Sequence, residues 1–293
     1  MLFWASAIIM FLPKQVSERR RAALLLVLLL LWYATSAACT TSSKRLLALL
    51  KPAHCALQLT CAQFAAALAL SAVPCALQRA PPVLPRRILA HVAAISLSYT
   101  AGFALLNLSL LHVSAAFAET LRGLEPLFTA AIACAFDVRG GSMGRGSALA
   151  LAVLVAGGGV SFWAQPPGSA GRRLYVGASL ALGANLAFAA RGAFTTAAQD
   201  ELARHWEAPV NANALFLYQH ACGFLVTLVL SVAVGGGAPV AQFVSGGATQ
   251  PRALLVASTL SFFLYNRLSL AVLLRLDLVT HSVLTHIFID LPV

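Results

Sequence analysis

The sequence has little charge for its length. Only 10% of its 293 residues are charged, with 20 lysines and arginines against 9 aspartates and glutamates, whereas 60% are hydrophobic. Soluble domains carry roughly 25% charged residues, so this chain could not cover a water-facing surface of its own. The scarcity of charge excludes a soluble globular protein and indicates a protein embedded in a lipid bilayer.

The sequence also lacks the alternation of apolar and polar residues that is typical of transmembrane strands. Its apolar residues form continuous runs, whereas the strands of a membrane barrel alternate with a period of two. Only helices and closed barrels satisfy all their backbone hydrogen bonds in lipid. The runs therefore predict an all-α membrane protein, a polytopic helical bundle.

Motifs for metals, cofactors and catalysis are missing as well. The six cysteines form no Cys-x-x-Cys pair, and the seven histidines show no ligand spacing with them. We expect the cysteines to be small buried residues and predict no metal and no cofactor. An integral-membrane enzyme would need His, Asp or Glu clustered near a membrane face, which is not seen. The net charge of +11 does not indicate nucleic-acid binding, because the basic residues mostly flank apolar runs and set topology.

The apolar runs predict about nine membrane spans. A helix needs about 20 apolar residues to cross the hydrocarbon core, and the run AALLLVLLLLWYATSAACT is long enough to be the first. Eight further spans are predicted at 53–77, 88–110, 112–136, 147–165, 174–195, 211–234, 253–274 and 278–293. The last is short, so we expect a bundle that is truncated at its C-terminus.

The basic residues of the predicted loops are more numerous on the side of the N-terminus. This bias favours a cytoplasmic N-terminus. We therefore divide the chain into an N-terminal cytoplasmic segment, 1–24, and a membrane domain, 25–293.

Charged residues inside the predicted spans are the best indication of function. Arg122 lies near the middle of the span at 112–136, where a charge costs about 2.5 to 3.5 kcal/mol in lipid. Arg122 and Arg191 could form a clamp for an anion, because guanidinium groups match phosphate oxygens bidentately. The alternative is that Glu119 and Glu125, three residues to either side, simply neutralise Arg122. Arg191 could equally extend to the interface from the end of its span.

Three segments carry a family resemblance. They are HVSAAFAETLRGLEPLFTAAI, SLALGANLAFAARGAFTTA and FFLYNRLSLAVLLRLDLVTHSVLTH. These segments resemble motifs of the fourth, sixth, and eighth-to-ninth helices of the triose-phosphate and sugar-phosphate translocators, in the drug/metabolite transporter superfamily. The likeness extends over roughly residues 25 to 290. It implies ten helices in two inverted five-helix repeats, which place substrate near the midplane of the membrane.

The resemblance also implies a function and a set of site residues. Family members exchange phosphorylated metabolites for phosphate at a central cationic site. Arg122 stands where the family has a lysine, Arg191 matches a sixth-helix arginine, and Tyr265 matches a tyrosine that contacts substrate. We therefore expect Arg122, Arg191 and Tyr265 to bind substrate, with Glu119 modulating charge or a coupled proton.

The chain departs from the family pattern at several positions. Phe103, Leu106 and Glu119 replace polar or basic residues, and a Lys-Arg pair falls on Phe288 and Ile289. The resemblance thus predicts an antiporter for a sugar phosphate, phosphate or another anion. The alternatives are a carrier of nucleotide sugars or other metabolites and a transport-inactive, truncated membrane protein.

The expected partners are an anionic small molecule and the lipid bilayer, and a homodimer is an open alternative. The short segment before the first span favours the Golgi or endoplasmic reticulum membrane, with the plastid envelope as the alternative.

Overall fold

The protein is a bundle of long α-helices. The computed structural model describes residues 18–50, 54–77, 84–136, 145–164, 171–205, 211–235 and 249–273. No strand occurs within these ranges. The prediction of an all-α helical membrane bundle is confirmed.

The described ranges contain nine α-helices and one short 3-10 turn at Arg86–Ile88. The helices are α1 (Glu18–Leu50), α2 (His54–Leu77), α3 (Leu89–His112), α4 (Ala115–Arg122), α5 (Glu125–Ala135), α6 (Arg145–Trp163), α7 (Arg172–Arg204), α8 (Ala212–Gly235) and α9 (Thr249–Leu273). The first helix begins before residue 25, where we placed the start of the membrane domain.

Six of these helices, α1, α2, α3, α7, α8 and α9, are long and apolar enough to cross a membrane. The apolar part of α6, Leu151–Trp163, is shorter. The predicted span at 278–293 lies outside the described residues. The described part of the chain therefore supports a multi-pass protein but does not reach the predicted count of nine spans.

The predicted span at 112–136 is divided into two short helices, and the reason is local. Val113 is extended, and Ser114 caps α4 by accepting a hydrogen bond from the backbone N–H of Phe117 at 3.2 Å. A second break follows Arg122, and Pro126 lies in the first turn of α5. Proline lacks a backbone N–H and is tolerated only in the first turn of a helix. The break therefore leaves Arg122 at the end of a helix rather than in its middle.

Large apolar side chains cover the outside of the bundle. Phe136 is 76% exposed and Trp163 is 89% exposed, and many leucines and valines of the long helices are similarly open. A soluble monomer rarely exposes apolar patches of this extent. Lipid is the solvent that suits this surface, as expected for an integral membrane protein.

Small residues allow the helices to approach closely. The main pairings are α3 with α7, α1 with α9, and α2 with α8. A Cβ atom added at Gly102 of α3 would lie 2.5 Å from the ring of Phe188 in α7, and one added at Gly223 of α8 would lie 2.4 Å from the ring of Phe64 in α2. Helix association in membranes depends on such close packing, because lipid offers no hydrophobic drive.

The buried side chains form two core clusters. The first is rich in aromatic residues and includes Phe64, Phe103, Phe216 and Phe262. The second gathers the C-terminal ends of α1 and α3 with the N-terminal ends of α2, α7 and α9, through Leu46, Leu110, Cys55, Leu174 and Leu254. We call this end of the bundle the His112 end, after the last residue of α3. The candidate site lies where the two clusters meet.

Candidate functional site

Arg122 is buried in the interior of the bundle. It is the last residue of α4 and is 2% exposed. A cation is favoured at the C-terminus of a helix, where the last carbonyl groups lack partners. Asn185 of α7 donates to one of these carbonyls, that of Leu121, at 2.7 Å. The break after α4 is thus stabilised by a side chain from a neighbouring helix.

The guanidinium group of Arg122 joins three helices. Its Nη2 atom donates to the hydroxyl of Tyr265 in α9 at 2.7 Å, and its Nη1 atom lies 3.4 Å from the hydroxyl of Ser36 in α1. The rings of Phe188 and Tyr265 lie 5.7 and 5.6 Å from its central carbon, within range of a cation–π interaction. The Nε atom is buried and has no hydrogen-bond partner among the described residues. One N–H donor of the guanidinium group therefore has no partner among the described residues.

Glu119 neutralises part of the charge on Arg122. The two residues lie one turn apart on α4, and the closest carboxylate oxygen is 3.2 Å from Nη1. Thr40 of α1 donates a short hydrogen bond to the same carboxylate. Glu119 therefore acts as a local counter-ion, held against α1. Arg122 forms the ion pair with Glu119 through Nη1, while its Nε atom has no partner among the described residues. Neutralisation by Glu119 and binding of an anion are therefore compatible.

Arg191 belongs to a separate polar group. Its helix continues to Arg204, so Arg191 lies within α7 rather than near its end. Its guanidinium carbon lies 5.2 Å from the ring centre of Tyr99, whose hydroxyl is 3.2 Å from Nε2 of the buried His220. The Nε atom of Arg191 is also buried without a hydrogen-bond partner among the described residues. Arg191 is thus held in the bundle by aromatic contacts.

Phe103 packs against the two tyrosines that contact Arg122 and Arg191. Its ring lies 5.0 Å from that of Tyr99 and 6.2 Å from that of Tyr265, in edge-on arrangements. It also contacts Phe188 and Phe262 at 4.9 and 4.7 Å. The structure therefore brings Arg122, Tyr265 and Glu119 into direct contact, whereas Arg191 lies against the ring of Tyr99. The predicted clamp of two arginines stays a prediction.

A small central cavity lies beside Arg122. Its volume is about 10 Å³, which is close to the minimum needed to hold one water molecule. It is lined by Ser36, Cys39, Thr40, Ser43, Gln63, Phe103, Leu106, Asn107, Leu110, Arg122 and Tyr265. This volume is too small for a phosphate group, so any substrate larger than water requires the helices to separate.

Uncharged hydrogen-bonding groups occupy the wall opposite Arg122. Gln63 of α2 donates to the hydroxyls of Ser43 at 3.1 Å and Ser258 at 2.9 Å. Asn107 of α3 donates to Gln63 and to Thr60, each at 2.9 Å. This network ties together α1, α2, α3 and α9, and it presents amide and hydroxyl groups to the cavity.

Several site residues were not found from the sequence. Gln63, Thr40 and Tyr99 lie in spans that gave no local signal, because an isolated polar residue in an apolar run usually only bonds a neighbouring helix. Lys44 lies within α1, beyond the apolar run that predicted the first span. A serine- and threonine-rich stretch before Lys44 was the only available signal that this part of α1 faces a polar interior.

The chain matches a known family over most of its length. The model of the Triose-phosphate Transporter family matches residues 23–287. No curated protein matches the chain. The matched range includes the central cavity and all four predicted site residues.

Proposed function

Because the chain belongs to the triose-phosphate transporter family, we propose that it exchanges a phosphorylated or otherwise anionic metabolite by alternating access. Members of this family are transporters rather than enzymes. The chain is accordingly a multi-pass membrane transporter of a small molecule. Arg122 is the proposed anion-binding group, with Tyr265 fixing its orientation, Glu119 as its resident counter-ion, and Arg191 as a second cation.

The observation that carries this proposal is the state of the Arg122 side chain. It is 2% exposed, it lines the central cavity, and its Nε atom has no hydrogen-bond partner among the described residues. An unpaired donor on a buried charge is unfavourable, and an anion with two oxygen atoms could satisfy it along the Nε edge. An anionic ligand would therefore provide the partner that this donor lacks among the described residues.

Alternating access is supported by the size of the cavity. A cavity of about 10 Å³ cannot admit a phosphate group, so binding requires the bundle to open on one side. Phe103, which packs against Tyr99, and Leu110 both line the cavity, and we assign them as its two barriers. Opening these two barriers in turn would move a bound anion across the membrane.

The polar wall of the cavity favours a hydroxylated anion, such as a sugar phosphate, within this class. Gln63, Asn107 and Ser43 face the cavity opposite Arg122, and amide and hydroxyl groups suit the hydroxyls of a sugar. Nucleotide sugars are the second candidate, because they also combine phosphate groups with the hydroxyls of a sugar. Counter-exchange with a panel of labelled phosphates, sugar phosphates and nucleotide sugars would separate the two.

The location in the Golgi or endoplasmic reticulum membrane is also a proposal. It rests on the sequence alone. A fluorescent fusion of the full chain, imaged with organelle markers, would test it against the plastid envelope.

The central test is counter-exchange in proteoliposomes with Arg122→Ala. Removing a buried anion-binding arginine should lower exchange of labelled inorganic phosphate or sugar phosphate at least tenfold, as expected for a charged hydrogen bond of about 1.5 to 3 kcal/mol. Arg204→Ala is the matched control, because Arg204 also pairs with a glutamate three residues earlier, at 3.3 Å, but its side chain is 70% exposed. Exchange by Arg122→Ala at the parental rate would refute the central role of this residue.

A further inference from the structure

A basic vestibule opens at the His112 end of the bundle, beside the central cavity. Its volume is about 410 Å³. It is lined by Lys44, Leu47, Ala48, Leu110, Leu111, His112 and Arg173. Three of these described residues are basic and none is acidic. The vestibule is therefore large enough for a small organic anion and has the charge to attract one.

Lys44 is held at a fixed position in the inner wall of the vestibule. Its ammonium group donates to the backbone carbonyls of Leu110 and Val113, the latter at 2.8 Å. These carbonyls lie at the C-terminal end of α3, where a cation is favourable. An ammonium has three N–H donors, so this arrangement uses two of them. Lys44 thus links α1 to the end of α3 and still contributes its charge to the vestibule.

Arg173 supplies a second cation from a different helix. It is exposed and lies in the first turn of α7, whereas His112 is the exposed last residue of α3. A concave surface lined by one sign of charge raises the local concentration of ions of the opposite sign. The three basic groups come from α1, α3 and α7, so a site between them would be sensitive to movement of these helices.

The vestibule and the central cavity share one lining residue. Leu110 lines both spaces and is 1% exposed. Ser43 lines the central cavity, and the next residue, Lys44, lines the vestibule. Displacement of Leu110, together with release of the α3 carbonyls by Lys44, would join the two spaces.

We propose that this vestibule is an anion-binding site on the path from the water at the His112 end to Arg122. Its ligand is a dissolved small molecule that carries a phosphate or carboxylate group, held by Arg173 and Lys44. This proposal rests on the proposed function, because it requires Arg122 to be the destination of the anion. In the vestibule-bound state, Leu110 remains the closed barrier.

The site can be tested without measuring transport. Ala48→Cys places a thiol in the vestibule, and Leu49→Cys places one beside it on the same helix, at a residue that is 49% exposed and does not line the vestibule. We would measure the rates at which a negatively and a positively charged methanethiosulfonate reagent label each variant. The parent protein gives the background from its native cysteines.

We expect the ratio of anionic to cationic labelling to be about three- to tenfold higher for Ala48→Cys than for Leu49→Cys. Added inorganic phosphate should slow labelling at position 48 and leave position 49 unchanged. Arg173→Gln should lower the ratio at position 48 about threefold. The matched control is Arg172→Gln, which removes a neighbouring exposed arginine that does not line the vestibule. Equal ratios at positions 48 and 49, or equal effects of the two arginine variants, would overturn the proposal.

Vesicles of two lipid compositions distinguish a dissolved anion from a lipid headgroup as the ligand. The labelling is carried out in vesicles of phosphatidylcholine alone and repeated with phosphatidylglycerol added. Protection by dissolved phosphate in the first vesicles supports the proposal. If only the anionic lipid protects, the vestibule binds a lipid headgroup and the proposal fails.

Failure of the proposed function can be distinguished from failure of the vestibule proposal. In that case Arg122→Ala would exchange substrate as fast as the parent, while the labelling at position 48 would still show charge selectivity and protection.

Discussion

Arg122 donates a hydrogen bond of 2.7 Å to the hydroxyl of Tyr265, across a separation of 143 residues in the chain. The same tyrosine ring lies 6.3 Å from that of Trp32 and is stacked on it. The bond therefore connects α4 and α9 at the central cavity, and Trp32 of α1 packs against the tyrosine ring. The tyrosine hydroxyl thus helps to fix the orientation of the buried guanidinium group.

Tyr265→Phe should lower exchange of the transported anion about tenfold. The variant keeps the ring and its stacking on Trp32 but removes the hydroxyl, and hydrogen bonds to charged groups contribute about 1.5 to 3 kcal/mol. Counter-exchange in proteoliposomes measures the effect. Tyr175→Phe is the control, because Tyr175 is 58% exposed and lies away from the cavity. A parental rate in Tyr265→Phe would show that the orientation of Arg122 does not depend on this bond.

Glu119→Gln should lower the KM for an anionic substrate about three- to tenfold. The carboxylate lies 3.2 Å from Nη1 of Arg122 and competes with an incoming anion for the same charge, and its replacement by a neutral amide removes that competition. Concentration-dependent uptake of the labelled anion is the measurement. The control is Glu201→Gln, which removes the half-buried carboxylate of the similar pair with the exposed Arg204. A raised KM in Glu119→Gln would mean that the glutamate positions Arg122 rather than competing with substrate.

Gly102→Val should destabilise the fold by about 1 to 3 kcal/mol, as overpacking of a core does. A Cβ atom at this position would lie 2.5 Å from the Phe188 ring, which is buried between α3 and α7. Thermal unfolding of the detergent-solubilised protein, followed by size-exclusion chromatography, would report the change. Gly159→Val introduces the same side chain where no neighbouring heavy atom lies within 4 Å of the added Cβ. Equal melting temperatures for the two variants would contradict the close contact of α3 with α7.

The class of the protein and most of its helix positions could be predicted from the sequence. The predicted spans at 53–77, 88–110 and 211–234 agree with α2, α3 and α8 to within two residues at each end. This agreement is expected, because continuous apolar runs of sufficient length can satisfy their backbone in lipid only as helices. The family resemblance is confirmed by the match over residues 23–287.

The interruption of the span at 112–136 could be predicted only in part. A proline such as Pro126 is suited to the first turn of a helix, but the break after Arg122 is also supported by Asn185, which, in addition to the backbone N–H of Leu124, donates to the carbonyl of Leu121. That partner comes from another helix, so local propensity does not reveal it. The choice of Arg122, Tyr265 and Glu119 from the sequence identified three groups that the fold brings together, whereas their role in binding stays a prediction.

The sequence by itself determined that this protein is a helical membrane transporter with a charged residue, Arg122, in its interior, because hydropathy and family motifs are properties of contiguous residues. Only the tertiary structure decided which groups surround that charge, that Tyr265 binds Arg122 whereas Tyr99 contacts Arg191, and that Leu110 lines both the central cavity and a basic vestibule. The physical reason is that helices such as α2, α3 and α6 are apolar around most of their circumference. Their sequences therefore do not indicate which face meets which neighbour, and close packing at small residues such as Gly102 selects it.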